Sequence, residues 1–210
     1  MKILGLVAGA ALMLGAQSAY AVTITNGSFE TPIVGGNYNT LGAGDLSLTG
    51  WDIGGNSIDH IGSYWNAADG SQSVDLNGGD LGNISQTISG LTNGQQYTVS
   101  FSIAATPGYG SQTINVDFGS TSQSYSLADT GSLGNMNWAV RTIVFVADAT
   151  GTALLKFAGT SNGGNNAAGM ALDNVTIAAT PIPGAILLFG SALGGMGFLG
   201  YRRKKQAAEA

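Results

Sequence analysis

The residues able to do acid, base or metal chemistry in this 210-residue chain are almost all carboxylates. There is no Cys, and His60 is the single histidine. That excludes thiol catalysis and most transition-metal sites built on imidazole. Between Val22 and Thr180, Glu30 and ten aspartates are set against only Arg141 and Lys156, a net charge of −9. A potential of that sign excludes binding of nucleic acid or of an anionic membrane surface. Acids spread this evenly single out no pair for glycoside hydrolysis. Gly159-Thr160-Ser161-Asn162-Gly163 matches the G-x-S-x-G nucleophile pattern, but no helix-forming run follows it, so it reads as a chance match in a Gly/Asn loop. The chain is therefore read as non-catalytic. Tyr64, Trp65, Tyr109 and Trp138 fall in loop or strand-end positions, where an aromatic ring can stack on a sugar. The competing role for each is a partly buried framework aromatic, and for Trp65 that role is favoured. Trp51, directly after Gly50, reads as core.

Strands must position these groups. Tyr97, Val99, Phe101 and Ile103 alternate with Thr98, Ser100 and Ser102, the period of two of a half-buried strand. Thr113–Phe118, Gln72–Leu76 and Ile84–Ile88 repeat the pattern, and Thr152–Phe157 does so more weakly. Val140–Val146 is apolar on both faces apart from Arg141 and Thr142, which predicts a central strand. Clusters such as Asn77-Gly78-Gly79-Asp80 and Leu91-Thr92-Asn93-Gly94 separate the runs as turns. Outside the two ends nothing repeats at 3.6 residues. Eight to ten short strands at this spacing predict an all-β fold, an antiparallel β-sandwich of jelly-roll type. In the last strand the period of two places Ala171, Asp173, Val175 and Ile177 on one face. If Val175 and Ile177 face the core, Asp173 is buried with them, and it then needs a cation or a set of hydrogen-bond donors.

Several strings carry a family resemblance. Asn26-Gly27-Ser28-Phe29-Glu30, Gly50-Trp51, Ser57-Ile58-Asp59-His60-Ile61-Gly62 with Trp65, and Asp69-Gly70-Ser71-Gln72-Ser73-Val74-Asp75-Leu76-Asn77-Gly78 resemble the choice-of-anchor C domain. Gly82-Asn83-Ile84-Ser85-Gln86-Thr87-Ile88, Gly90-Leu91 and Gly94-x-x-Tyr97-x-Val99-x-Phe101 continue it, and Leu172-Asp173-Asn174-Val175 closes it. The same framework resembles the plant cell-wall family called domain of unknown function 642. More distantly it is similar to carbohydrate-binding modules with a galactose-binding-like jelly roll. That likeness implies a structural calcium ion held by Glu30, after the first strand, and Asp173, in the last, with loop carbonyls completing six to eight oxygens. The other reading open for Asp173 is a hydrogen-bonded role at a strand end or turn.

Both ends specify export. Lys2, the apolar run Ile3–Ala16 and Ala19-Tyr20-Ala21 form a signal peptide over 1–21 with an A-x-A cleavage site for signal peptidase. The mature domain is then 22–180. After Thr180 come Pro181-Ile182-Pro183-Gly184-Ala185, an uncharged apolar run to Tyr201, and Arg202-Arg203-Lys204-Lys205. About 20 apolar residues are long enough to cross a bilayer, and the cations keep their end cytoplasmic. This tail (181–206) resembles the sorting signals of the PEP-CTERM system, in the variant reading Val-Pro-Leu-Pro-Ala. The resemblance implies an exosortase-type enzyme acting near Pro181, Pro183, Gly184 and Ala185, with Arg202 and Arg203 in the basic end. A plain single-span anchor is the alternative. The expected setting is the surface of a Gram-negative bacterium, with transient anchoring in the inner membrane. The expected function is a non-catalytic surface or matrix protein that binds extracellular polysaccharide. The alternative is a structural biofilm component with no sugar site.

Overall fold

The computed structural model describes residues 21–160 and 166–180. Eleven strands follow in order: β1 (Tyr38–Gly42), β2 (Asp52–Gly55), β3 (Ser57–Ile61), β4 (Ser73–Asp75), β5 (Gly82–Ser89), β6 (Gln96–Ala105), β7 (Gln112–Phe118), β8 (Thr121–Leu127), β9 (Ala139–Val146), β10 (Thr152–Gly159) and β11 (Met170–Ala179). A six-stranded sheet runs β1-β3-β4-β11-β6-β9 and a five-stranded sheet runs β2-β5-β10-β7-β8. Every pairing is antiparallel. No helix occurs among the described residues. The fold is the antiparallel sandwich that the alternation predicts, with eleven strands where eight to ten are expected.

The alternating positions meet between the sheets. Val99, Phe101 and Ile103 of β6 and Leu172 of β11 face Ile84, Ile114, Val116 and Phe157 of the other sheet, all buried. Phe101 and Phe157 pack edge to face at 5.1 Å and 75°, and Trp51 joins the same core. Truncating one such phenylalanine to Ala costs about 3–5 kcal/mol.

A second, smaller core lies on the other face of the six-stranded sheet. Ile61, Ala104 and Ala171 from the strands are covered there by Trp65 and Met136, with Tyr64 and Trp138 packed against them. Two connections form this cover, and they are tied together. Asn66 N–H donates to the Leu133 carbonyl, Asn66 Nδ2 to the Gly134 carbonyl, and Trp138 Nε1 to the Asn66 carbonyl.

Three expectations are corrected by this arrangement. β9 is not central; it ends the six-stranded sheet, and Val140, Val144 and Val146 stand exposed on its open face, Val140 at 63 %. The residues before Glu30 are not a strand: Asn26–Phe29 turn, with Asn26 and Phe29 at φ 52° and 57°. The Gly27 carbonyl nonetheless accepts a bond from Val175 N–H, so the turn lies against the last strand as expected of a strand there. Thirdly, Asp173 is fully buried but does not share a face with Val175. A bulge between Asp173 and Thr176, with Asn174 at φ 50°, resets the alternation. Asp173 therefore keeps company with Ala171 on the outer face, while Val175 and Ile177 turn to the main core. The signal peptide through Tyr20, the central part of the G-x-S-x-G loop (161–165) and the C-terminal apolar helix lie outside the described residues.

Candidate functional site

The strand register builds a polar row across the outer face of the six-stranded sheet. Thr40 of β1 opposes Asp59 of β3, Asp59 opposes Asp75 of β4, and Asp75 opposes Ala171 of β11. At the β1 end this row opens into a cleft of about 360 Å³. Tyr38, Tyr64 and Tyr109 wall it; Asp59, Asp75 and Thr106 supply its polar groups. Tyr38 and Tyr64 meet edge to face at 5.7 Å, and Tyr64 leans on Trp65 at 5.5 Å. Tyr38 and Tyr109 remain 48 % and 42 % exposed, so two rings are open to a ligand. Trp65 forms part of the wall but is itself buried, its Nε1 donating to Ser73 Oγ at 2.8 Å.

Asp75 is 4 % exposed and has no cation beside it among the described residues. Its Oδ1 accepts N–H bonds from Asn77 and Gly169, both 2.9 Å. Thr106 Oγ1 lies 2.7 Å from the Gly169 carbonyl and 3.3 Å from Asp75 Oδ2. A hydroxyl has one proton, and a carbonyl can only accept, so the shorter bond claims it. A proton on the Asp75 carboxyl then serves the longer one. Burial pushes Asp75 up to about 7, against its N–H donors and with a further push from the Asp59 charge. Asp59 is raised for the same reason, burial, while the Thr40 hydroxyl, donating at 2.6 Å, opposes the rise.

Glu30 and Asp173 close on one loop from two sides. Asp173 Oδ2 accepts the N–H groups of Ala68 (2.7 Å) and Asp69 (2.9 Å), and its Oδ1 accepts that of Asn174. Glu30 Oε1 accepts the N–H groups of Ser71 and Gln72, both 2.8 Å, and its Oε2 accepts the Ser71 hydroxyl. Burial pushes Asp173 up to about 7, opposed by its three N–H donors and aided by the Asp69 charge. Gln72, buried beneath, ties the Phe29 and Pro32 carbonyls and the Val34 N–H. His60 is buried on the inner side, and its Nε2–H donates to the Phe29 carbonyl at 2.7 Å; burial holds its pKa below the ordinary value. Gln72 also borders a surface cleft beside Val34 and Ser63.

A calcium ion fits this donor set poorly. Oδ2 of Asp173 and Oε1 of Glu30 each have both lone pairs taken by N–H protons, which stand where a cation would. One lone pair remains on each of the other two oxygens, against six to eight ligands for calcium. Among the described residues no three acidic or imidazole side chains converge as a metal site. The geometry displays the hydrogen-bonded role for both carboxylates.

Residues 22–178 match the family model described as Protein of unknown function (DUF642). The chain belongs to this family. Halomucin of Haloquadratum walsbyi is 32 % identical over 187 residues, which are 87 % of this chain but 2 % of halomucin. The chain thus spans a small part of that relative's length. Among solved structures, the module TmCBM61 in complex with beta-1,4-galactotriose aligns at TM-score 0.51 and 19 % identity, over 77 % of this chain and all of the module. A cyclase from Fischerella sp. TAU, in complex with an indole ketone, aligns at 0.52 and 18 %, over 77 % of this chain and 98 % of the cyclase. These likenesses show a shared carbohydrate-binding-module-like fold.

Of the aromatics predicted from the DUF642 sequence, Tyr64, Trp65 and Tyr109 come together at the cleft. Trp138 does not line it: half-buried, it packs on the small outer core and bonds Asn66. Trp65 and Trp51 are both buried. Glu30 and Asp173 do meet around one segment, 68–72. Missed by sequence reasoning were Tyr38, Asp59, Asp75 and Thr106. The adjacent signals were there: Asp59 and Asp75 stand at alternate, outward positions of two short strands flanked by apolar residues.

Proposed function

We propose that this DUF642 protein is an exported, non-catalytic sandwich that binds extracellular polysaccharide through the tyrosine-walled cleft. The observation that carries the reading is the convergence of exposed Tyr38 and Tyr109 on a cleft with carboxyl and hydroxyl groups at its base. Flat rings take the apolar faces of pyranoses, and a few fixed polar groups orient their hydroxyls. The galactotriose bound to the similarly folded module supports the ligand class. Export follows from the signal peptide, with Val22 as the first mature residue, and the tail delivers the protein to the surface through an exosortase-type enzyme cutting near Pro181–Ala185. Mass spectrometry of the surface form tests this: retention of Met1, or of the peptide around Arg202, overturns it.

A glycan array probed with the full-length protein tests the binding itself. Tyr109→Ala and Tyr38→Ala should each weaken the bound glycan by about tenfold, from roughly 1.4 kcal/mol of stacking. Failure to bind any glycan, or unchanged affinity in both variants, overturns the reading. A second reading, a structural matrix component, is favoured by the open edge of β9. Eight residues there carry one charge and no Pro, an edge suited to pairing with another chain. Concentration-dependent assembly lost on Val144→Lys would support that second reading.

A further inference from the structure

The cleft holds a negative charge that no side-chain cation among the described residues meets. Asp59 and Asp75 oppose each other directly across β3 and β4, where like charges repel. Below about pH 7 the proton of the pair is held by Asp75, the deeper of the two, with Thr106 Oγ1 placed to accept it. The charge is then on Asp59, at the cleft surface. Its Oδ1 accepts the Thr40 hydroxyl, and its Oδ2 has no protein partner among the described residues. Arg141 and Lys156 do not line the cleft; Arg141 is on edge strand β9, and Lys156 is on β10 of the opposite sheet. Among the described residues, every titratable group facing Asp59 is a phenol or a carboxyl: Tyr38, Tyr64, Tyr109 and Asp75. His60, its chain neighbour, points to the inner face.

A lone carboxylate framed by aromatic rings is the arrangement that recognises an ammonium group, by ion pairing and by attraction to the ring faces. A metal ion suits it less, because Asp75 Oδ1 already accepts two N–H groups and no third acidic group converges among the described residues. We infer that the cleft takes an amino sugar, its free ammonium on Asp59 and its pyranose ring against the tyrosines. This rests on the sugar-binding reading above and names the class of sugar. A fully acetylated or neutral glycan lacks the charge, and a uronic acid or sulfated glycan carries the wrong one.

Calorimetric titration of the full-length protein tests it with three probes: a β-1,4-glucosamine tetramer, its N-acetylated counterpart and β-1,4-galactotriose. At about pH 6, where the amines are charged and Asp75 holds its proton, the glucosamine tetramer should bind about tenfold more tightly than the acetylated one, a difference of about 1.4 kcal/mol. Asp59→Asn should erase that preference while changing the acetylated and galactose probes by less than about twofold. Raising salt several-fold should weaken only the amino probe, since ion pairing is screened. The salt arm uses the wild-type protein and holds even if the variant folds badly. Equal binding of the two glucosamine tetramers, or a preference that survives Asp59→Asn, overturns the inference. Binding of the neutral probes alone overturns it and leaves the sugar-binding reading standing. Binding of none overturns both.

Discussion

Replacing Asp75 by Asn should stabilise this protein above neutral pH, although Asp75 is buried and hydrogen-bonded. Asn reproduces the neutral carboxyl: Oδ1 still accepts the Asn77 and Gly169 N–H groups, and Nδ2 donates to Thr106 Oγ1 where the acid proton would. What the substitution removes is ionisation. A carboxyl raised in the folded state binds its proton more tightly there than in the unfolded chain. Its stabilisation is complete below the unfolded value of 3.8 and is lost as pH rises through about 7. The whole span corresponds to about 4 kcal/mol at ~1.36 kcal/mol per pH unit, and the part between pH 5 and pH 8 to about 2.5 kcal/mol. Asp173, also pushed up to about 7 by burial, acts in the same direction. Thermal or urea melts at about pH 5 and pH 8 should therefore show the wild type losing stability toward pH 8. Asp75→Asn should lose about half as much, and should melt about 5–10 °C above wild type at pH 8. A variant with the wild-type slope, or one less stable at both pH values, would refute the protonated Asp75 and with it the assignment of the cleft's charge to Asp59.

Chelation should leave the melting temperature unchanged within about a degree, because N–H donors already satisfy Glu30 and Asp173. A fall of several degrees, reversed by calcium and not by magnesium, would instead restore the ion that the family resemblance implies, through its binding to the folded state alone. Gly27→Ala should destabilise by at least about 2 kcal/mol, since its Cβ would clash with the Val175 carbonyl oxygen and push the opening turn off β11. Melts of that variant indistinguishable from wild type would show that the turn yields freely.

Most of the sandwich is legible because its core follows one rule. In β6, β7 and β5 every second residue faces the other sheet, and Val99, Phe101, Ile114, Val116, Ile84 and Ile88 are all buried where the alternation puts them. β9 broke the rule without announcing it. Apolar residues on both faces of Val140–Val146 predict burial on both sides, yet the strand is an edge and Val140, Val144 and Val146 face outward. Hydrophobicity reports what a side chain prefers, and a strand whose outer edge meets no described strand still shows that preference.

The candidate site was harder to read because it depends on what covers the outer face of a sheet, and local periodicity carries no record of that. Ser73 and Asp75 alternate outward in a short strand and look like solvent positions, but β4 lies between β3 and β11, and connections from distant parts of the chain close over it. Asp173 shows the complementary failure. The argument that it is buried reached the right burial through the wrong face, because the bulge at Asn174 inverts the alternation that the argument used. Both acids are buried for the same reason, a loop laid over the outer face and held by polar groups. Around Asp173 those polar groups are amide protons, and the carboxylate is satisfied. Around Asp59 they are one hydroxyl and an open cleft. That difference, a closed carboxylate beside an open one on the same sheet face, is why the ligand belongs at Asp59 and the structural role at Asp173.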